Sequence, residues 1–139
     1  LPPAGLEVEV TESLLMRDLP RSVETMRELE AMGVALSIDD FGTGYSSLSA
    51  LKSFPINRLK IDKSFVADLA DGSDDQAIAM AVISLGHKLG LRVIAEGVET
   101  ALQRDFLRAN GCDEMQGYLF SRPLPPGDIE RLLAAQDAA

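Results

Sequence analysis

The chain has 139 residues, 46% of them hydrophobic and 25% charged, which suits one globular unit with a single core. Its 13 basic and 22 acidic residues leave a net charge of -9, a surface that repels polyanions and so excludes nucleic acid polymers and anionic membrane as partners. A small anionic ligand stays open, because carboxylates that hold divalent cations present the cation to a phosphate.

One cysteine, Cys112, forbids an internal disulfide and agrees with a reducing, cytoplasmic compartment. The amino terminus carries no basic segment ahead of an apolar one, so no secretion signal is expected. The longest apolar stretch, Ala77 to Leu85, is too short to cross a bilayer. Beginning at Leu1 without a methionine, the chain reads as a piece of a longer protein, whose upstream segments leave room for a membrane anchor.

In chain order, Leu6 to Thr11 is the first predicted strand, followed by a helix that opens near Pro20 and stops at Gly33. Ala35 to Ile38 is the second strand, and a short helix is expected from Ser46 to Phe54, closed by Pro55. After a third strand, Arg58 to Ile61, a capping-box pattern at Ser73-Asp74-Asp75-Gln76 opens a helix whose stripe Ile78, Val82, Leu85, Leu89 ends at Gly90. The fourth strand is Arg92 to Ala95. A second capping box, Thr100 to Gln103, starts the next helix, and Gly111 sits just past its end. Asp113 to Phe120 is the fifth strand, and Asp128 to Gln136 is a last amphipathic helix. Strands alternating with helices in this way predict a parallel α/β architecture.

Polar residues stand at the carboxyl end of each predicted strand: Glu9 and Glu12, then Asp39 and Asp40, Lys60 and Asp62, Glu96 and Glu99, with Gln116 in the fifth. From Glu9 through Asp39, Lys60 and Glu96 to Gln116 the intervals are 30, 21, 36 and 20 residues, about one strand-helix unit each. In parallel α/β folds these ends converge on one rim, where ligands bind. Carboxylates gathered there repel unless cations neutralise them, and oxygen-only donors favour Mg²⁺, Mn²⁺ or Ca²⁺ over zinc.

Singly, each feature also has a plain structural reading. Asp39-Asp40-Phe41-Gly42 is an ordinary turn composition, Glu9 and Glu12 suit solvated strand ends, and Lys60 alternates with Leu59 and Ile61. Glu96 and Glu99 suit a helix start, His87 a helix surface and Cys112 a small buried site. It is their recurrence in phase that argues for a common site. A phosphoacceptor receiver domain shares the alternation, the acid pair and a lysine, but it needs an aspartate strand between pair and lysine, and here Lys60 follows directly on the next strand.

The runs Glu9-Val-Thr-Glu-Ser, Asp39-Asp-Phe-Gly-Thr-Gly-Tyr-Ser-Ser-Leu, Leu59-Lys-Ile-Asp, Ala95-Glu-Gly-Val-Glu-Thr and Gln116-Gly-Tyr-Leu-Phe, in this order, resemble the EAL-domain family of cyclic di-GMP phosphodiesterases. The resemblance covers Leu6 to Pro125 and implies a TIM-like (β/α)₈ barrel with one antiparallel strand. It further implies a two-metal Mg²⁺ or Mn²⁺ site that opens cyclic di-GMP to linear pGpG. Carried over by position, Glu9, Asp39, Asp40 and Glu96 correspond to metal ligands. Lys60, Glu96 and Asp40 correspond to the catalytic set, and Glu99, Gln116 and Asp62 to the supporting network. Glu12 corresponds to the anchor of a mobile loop, Phe41, Gly42, Thr43, Gly44, Tyr45, Ser46 and Ser47, that links site and homodimer interface. The chemistry suits the residues: two cations about 3.5 to 4 Å apart activate water for in-line attack, and phosphoryl transfer asks for positioning and charge stabilisation and no nucleophilic side chain.

The Glu-Ala-Leu tripeptide and an asparagine strand of the family are absent from the 139 residues. The expectation is a partial domain over residues 1–139 with about the last five strand-helix units of an incomplete barrel, preceded in a parent protein by sensory or cyclase modules. By itself the piece is expected to be inactive. The alternative is a degenerate EAL module that binds cyclic di-GMP or a protein partner without catalysis. An open barrel leaves strand edges and an apolar flank uncovered, so self-association is expected. Light scattering on the purified chain should give a mass above 15.0 kDa, and a clean monomer overturns that expectation.

Overall fold

The computed structural model describes residues 1–44, 48–69 and 72–138. Tyr45, Ser46 and Ser47 of the predicted loop, and the start of the predicted 46–54 helix, lie outside the described residues. Five parallel strands, β1 (Glu7–Thr11), β2 (Ala35–Phe41), β3 (Arg58–Ile61), β4 (Arg92–Ala95) and β5 (Glu114–Met115), form one sheet in sequential order. Helices α1 (Glu12–Leu15), α2 (Leu19–Ala31), α3 (Leu48–Leu51), α4 (Lys63–Ala67), α5 (Asp74–Lys88), α6 (Ala101–Ala109) and α7 (Pro126–Asp137) alternate with the strands. This is the wall of a TIM-like barrel carried through five strands, with β1 and β5 as its two edges.

The strands differ on their two faces because successive side chains point to opposite sides. Leu36, Ile38, Leu59, Ile61, Val93 and Ala95 are fully buried, and Met26 of α2, Val66 of α4, Ala79, Val82 and Ile83 of α5 and Leu107 of α6 complete the same cluster. The intervening residues Glu7, Glu9, Ser37, Arg58, Lys60 and Glu114 are polar and face the concave side, with Ile94 the apolar exception among them. Inside and outside are therefore inverted relative to most sheets, since the apolar core lies between strands and helices and the barrel lumen is ionic.

Local signals explain the helix ends. Asp18 caps α2 by accepting the Arg21 N–H, and Gly33 adopts φ 87° beyond its end. The second predicted capping box forms fully at Thr100 and Gln103. The first forms by half: Ser73 accepts the Gln76 N–H, whereas Gln76 Oε1 takes its hydrogen bond from Gly72 N–H at 3.3 Å, one residue outside the cap.

Several elements differ from expectation; α3, for one, ends at Leu51, where the helix was expected to reach Phe54. β2 runs on to Phe41 through a register shift between Ile38 and Phe41, so the acid pair lies inside the strand. Two short helices, α1 and α4, follow β1 and β3 directly, each too brief to show a helical period in sequence. β5 is two residues where eight were expected. Its backbone leaves the ladder because Gln116 O accepts the Val98 N–H and Leu119 N–H donates to Val98 O, which binds the segment to the loop after β4. Gly117 permits that approach, for a Cβ there would lie 2.2 Å from Val98 O. No helix among the described residues is long and apolar enough to cross a membrane.

Gly86 of α5 lets the helix settle on β4: a Cβ at that position would stand 2.4 Å from Val93 Cγ2. Gly86→Ala should therefore destabilise the chain by about 1–3 kcal/mol despite its better helix propensity, as read by denaturant unfolding. Equal or greater stability would overturn the packing account.

Candidate active site

The concave rim is built from the carboxyl ends of the strands. Lys60 of β3 is only 3% exposed, an unusual burial for a lysine. Its Nζ donates to Glu9 Oε1 of β1 at 2.6 Å, forms a second ion pair with Glu96 Oε1 just past β4 at 2.6 Å, and lies 3.9 Å from Asp39 Oδ1. Gln116 Nε2, after β5, donates to the same Glu96 oxygen at 2.8 Å. Side chains of β1 and β2 and the residue just past β4 thus meet around one ammonium of β3, and Gln116, just past β5, joins them through Glu96. Burial lowers the readiness of Lys60 to hold its proton, but the hydrogen bonds to Glu9 and Glu96 and the charges of Glu96 and Asp39 outweigh it and keep the group above its ordinary value.

Asp39 and Asp40 share a site only because of the irregularity in β2. On a regular strand two consecutive side chains face opposite ways. Asp40 instead takes φ 54°, a left-handed conformation that aspartate tolerates, and its N–H donates to Asp39 Oδ1 at 2.8 Å. One oxygen from each of Asp39, Asp40 and Glu96 then lies within 4.8 Å of the others. Three oxygen donors at that spacing fit a hard divalent cation such as Mg²⁺ or Mn²⁺.

The remaining expected residues take distinct places. Asp62 caps α4 by accepting the Ser64 N–H at 2.8 Å and interacts with Asp40. Glu99 is exposed and lines, with Glu96 and Gln116, a groove of about 550 Å³ running toward Tyr118 and Arg122. Glu12 is 5% exposed; its Oε2 accepts the Gly42 N–H at 3.3 Å and its Oε1 has no hydrogen-bond partner among the described residues. Thr43 Oγ1 donates to the Asp40 carbonyl at 2.7 Å, tying the start of the loop to the acid pair. His87 sits outside the site with its Nε2 2.8 Å from Asp113 Oδ2, and Cys112 is buried, with its thiol pushed up to about 11 chiefly by that burial.

Sequence reading missed the ionic group below the site, Glu7, Arg58 and Glu114, and the buried hydroxyl of Ser37, which has no partner among the described residues. The signal was present: each of the three charged residues lies two positions before Glu9, Lys60 or Gln116, on the same strand face.

Asp40 is raised above the usual carboxylate range by its hydrogen bond with Asp62, then by burial and by the charges of Asp39, Asp62 and Glu96. Asp62 is lowered: burial pushes it up, but hydrogen bonds from the Ser64 side chain and backbone, helped by Asp40 and Lys63, outweigh that push. A raised carboxyl favours the fold below its unfolded value and loses that contribution as pH rises through the folded value. At neutral pH, Asp40 therefore costs stability. Asp40→Asn should raise stability at pH 7 by less than about 1 kcal/mol, and the gain should vanish below about pH 4. Denaturant melts across pH test this, and a loss of stability at pH 7 would contradict it.

The EAL domain family matches residues 1–123. Signaling protein YkoW of Bacillus subtilis strain 168 is 53% identical over 136 residues, covering 98% of this chain and 17% of that protein. The bifunctional diguanylate cyclase/cyclic di-GMP phosphodiesterase MucR of Pseudomonas aeruginosa is 52% identical over 135 residues, 97% of this chain and 19% of that protein. The solved PaMucR phosphodiesterase in complex with c-di-GMP superposes with a TM-score of 0.89 at 51% identity, covering 93% of this chain and 52% of that one. Klebsiella pneumoniae BlrP1, solved with manganese and c-di-GMP, gives 0.81 at 38% identity over 88% of this chain and 31% of that one. The chain spans about half the length of the solved MucR phosphodiesterase and under a fifth of the two curated relatives. With the motif-bearing strands in the family's order and the family match extending over most of its residues, this chain belongs to the EAL domain family.

Proposed function

We propose that residues 1–139 are the later part of an EAL phosphodiesterase domain and that the intact domain hydrolyses cyclic di-GMP to linear pGpG. The observation that carries this reading is the meeting of Glu9, Asp39, Asp40, Lys60, Glu96 and Gln116 around one rim point, in a chain whose relatives include a c-di-GMP phosphodiesterase. In this reading Asp39, Asp40 and Glu96, joined by Glu9, hold Mg²⁺ or Mn²⁺. When bound, these cations supply an activated water and neutralise charge building on phosphorus.

The chain's own residues do the rest. Lys60, kept charged by Glu9 and Glu96, presents a preorganised cation at the rim for a phosphate oxygen without reorganisation cost. Glu96, whose Oε1 is held by Lys60 and Gln116, has its second oxygen left either to ligate a metal or to act as general base toward the attacking water. Glu12 fixes the Gly42 backbone and so the departure of the loop from the acid pair. The groove beyond Glu96 and Gln116 leaves space for the nucleoside arms. Homodimer formation and upstream sensory or cyclase modules complete the proposal for the parent protein.

The test is c-di-GMP turnover by chromatography in the longest natural chain containing these residues, with Mn²⁺ and with chelator. Asp39→Asn and Lys60→Met should each lower kcat at least about 10²-fold. Turnover that survives chelation or Asp39→Asn would overturn the proposal. Nucleotide binding without turnover would mark the chain as a receptor module. The 139 residues alone should turn over poorly, because the Glu-Ala-Leu tripeptide and the asparagine of the family are not among them.

A further inference from the structure

Two residues below the rim lies a second ionic tier. Arg58 of β3 donates through Nη1 to Glu7 Oε2 of β1 and through Nη2 to Glu114 Oε1 of β5 at 3.0 Å. Arg92 of β4 adds a contact to Glu114 Oε1 at 3.2 Å. Arg58 belongs to the middle strand, and its two partners belong to the two edge strands. In a flat sheet those edges would stand roughly 19 Å apart, four strand spacings. One guanidinium reaches both only if the sheet is curled about β3. Parallel backbone pairing does not by itself set that curl, so the side chains on the concave face must contribute to it.

Three members of this tier are the i−2 neighbours of rim residues: Glu7 of Glu9, Arg58 of Lys60, Glu114 of Gln116. The same three strands therefore carry two stacked ionic layers, about 6.6 Å apart along the chain direction. β2 passes between β1 and β3 in both layers, and Ser37, its inward residue paired with Glu9 and Arg58, is small and fully buried. A larger side chain there would fill the space through which Glu7 and Glu9 cross to β3.

We propose that Arg58 is a positioning residue: by tying Glu7 to Glu114 it sets the curvature at which Glu9, Glu96 and Gln116 close on Lys60. It touches no candidate ligand and acts through the layer above. The proposal rests on the phosphodiesterase reading only for the consequence that metal binding weakens when the curl relaxes; its first readout is independent of that reading.

The experiment uses the full chain with Arg58→Met, the charge-neutral triple variant Glu7→Gln/Arg58→Met/Glu114→Gln, and Arg92→Met as the control for removing an arginine from the same patch. Reductive methylation followed by mass spectrometry gives the labelling rate of Lys60 against exposed Lys52. In the unaltered chain Lys60 should react at least tenfold more slowly than Lys52, matching its burial. Both Arg58 variants should lose that protection, the triple variant while keeping a cooperative melt, and Arg92→Met should retain it. Titration with Mn²⁺ should show at least a tenfold loss of affinity in the triple variant. Full Lys60 protection in the folded triple variant overturns the proposal, as does equal loss in Arg92→Met. If the 139 residues bind no Mn²⁺ while the labelling pattern holds, the positioning role stands on the labelling.

Discussion

A lysine buried on the polar face of a sheet has to be matched by anions, and most of what is distinctive in this chain follows from meeting that requirement at Lys60. Desolvating an ammonium costs several kcal/mol unless hydrogen bonds and opposite charges replace its water. Glu9 and Glu96 at 2.6 Å, with Asp39 behind them, do so. Once those acids are committed to one point, β1, β2, β3 and β4 are held in a fixed relation at their carboxyl ends, and Gln116 brings β5 into it.

The same arrangement leaves an imbalance that gives the site its chemistry. Asp39, Asp40 and Glu96 gather more negative charge than one lysine offsets, and the strain shows in the raised carboxyl of Asp40 and its hydrogen bond with Asp62. Excess acid in a concave site beside a fixed cation suits a hard divalent ion and a phosphate together. The apolar layer between sheet and helices carries the stability, which frees the opposite face to hold charges that would disrupt an ordinary core. Division of labour between the two faces is what the alternating strand pattern provides.

Much of this was legible before any coordinates. Strands β3, Arg58 to Ile61, and β4, Arg92 to Ala95, fall where the sequence reading placed them, and the Thr100-Gln103 capping box formed as read. Phase made the site visible, since acids and one lysine recurred once per strand-helix unit. What stayed hidden was non-periodic. The brief helices α1 and α4 are shorter than a helical repeat can show, and β5 ends early because Gly117 packs against the Val98 backbone, a contact between segments some twenty residues apart.

Residue order by itself determined the alternation of strand and helix, the polar and apolar faces and the family, because these depend on local period and on motif spacing. Only the tertiary structure decided which polar residues touch. The φ of 54° at Asp40 puts two neighbouring aspartates in one site, and Glu7 and Glu114, from the two edge strands, meet on one guanidinium. Both depend on how strands are offset and bent against one another in space, a relation between distant segments that no local pattern encodes.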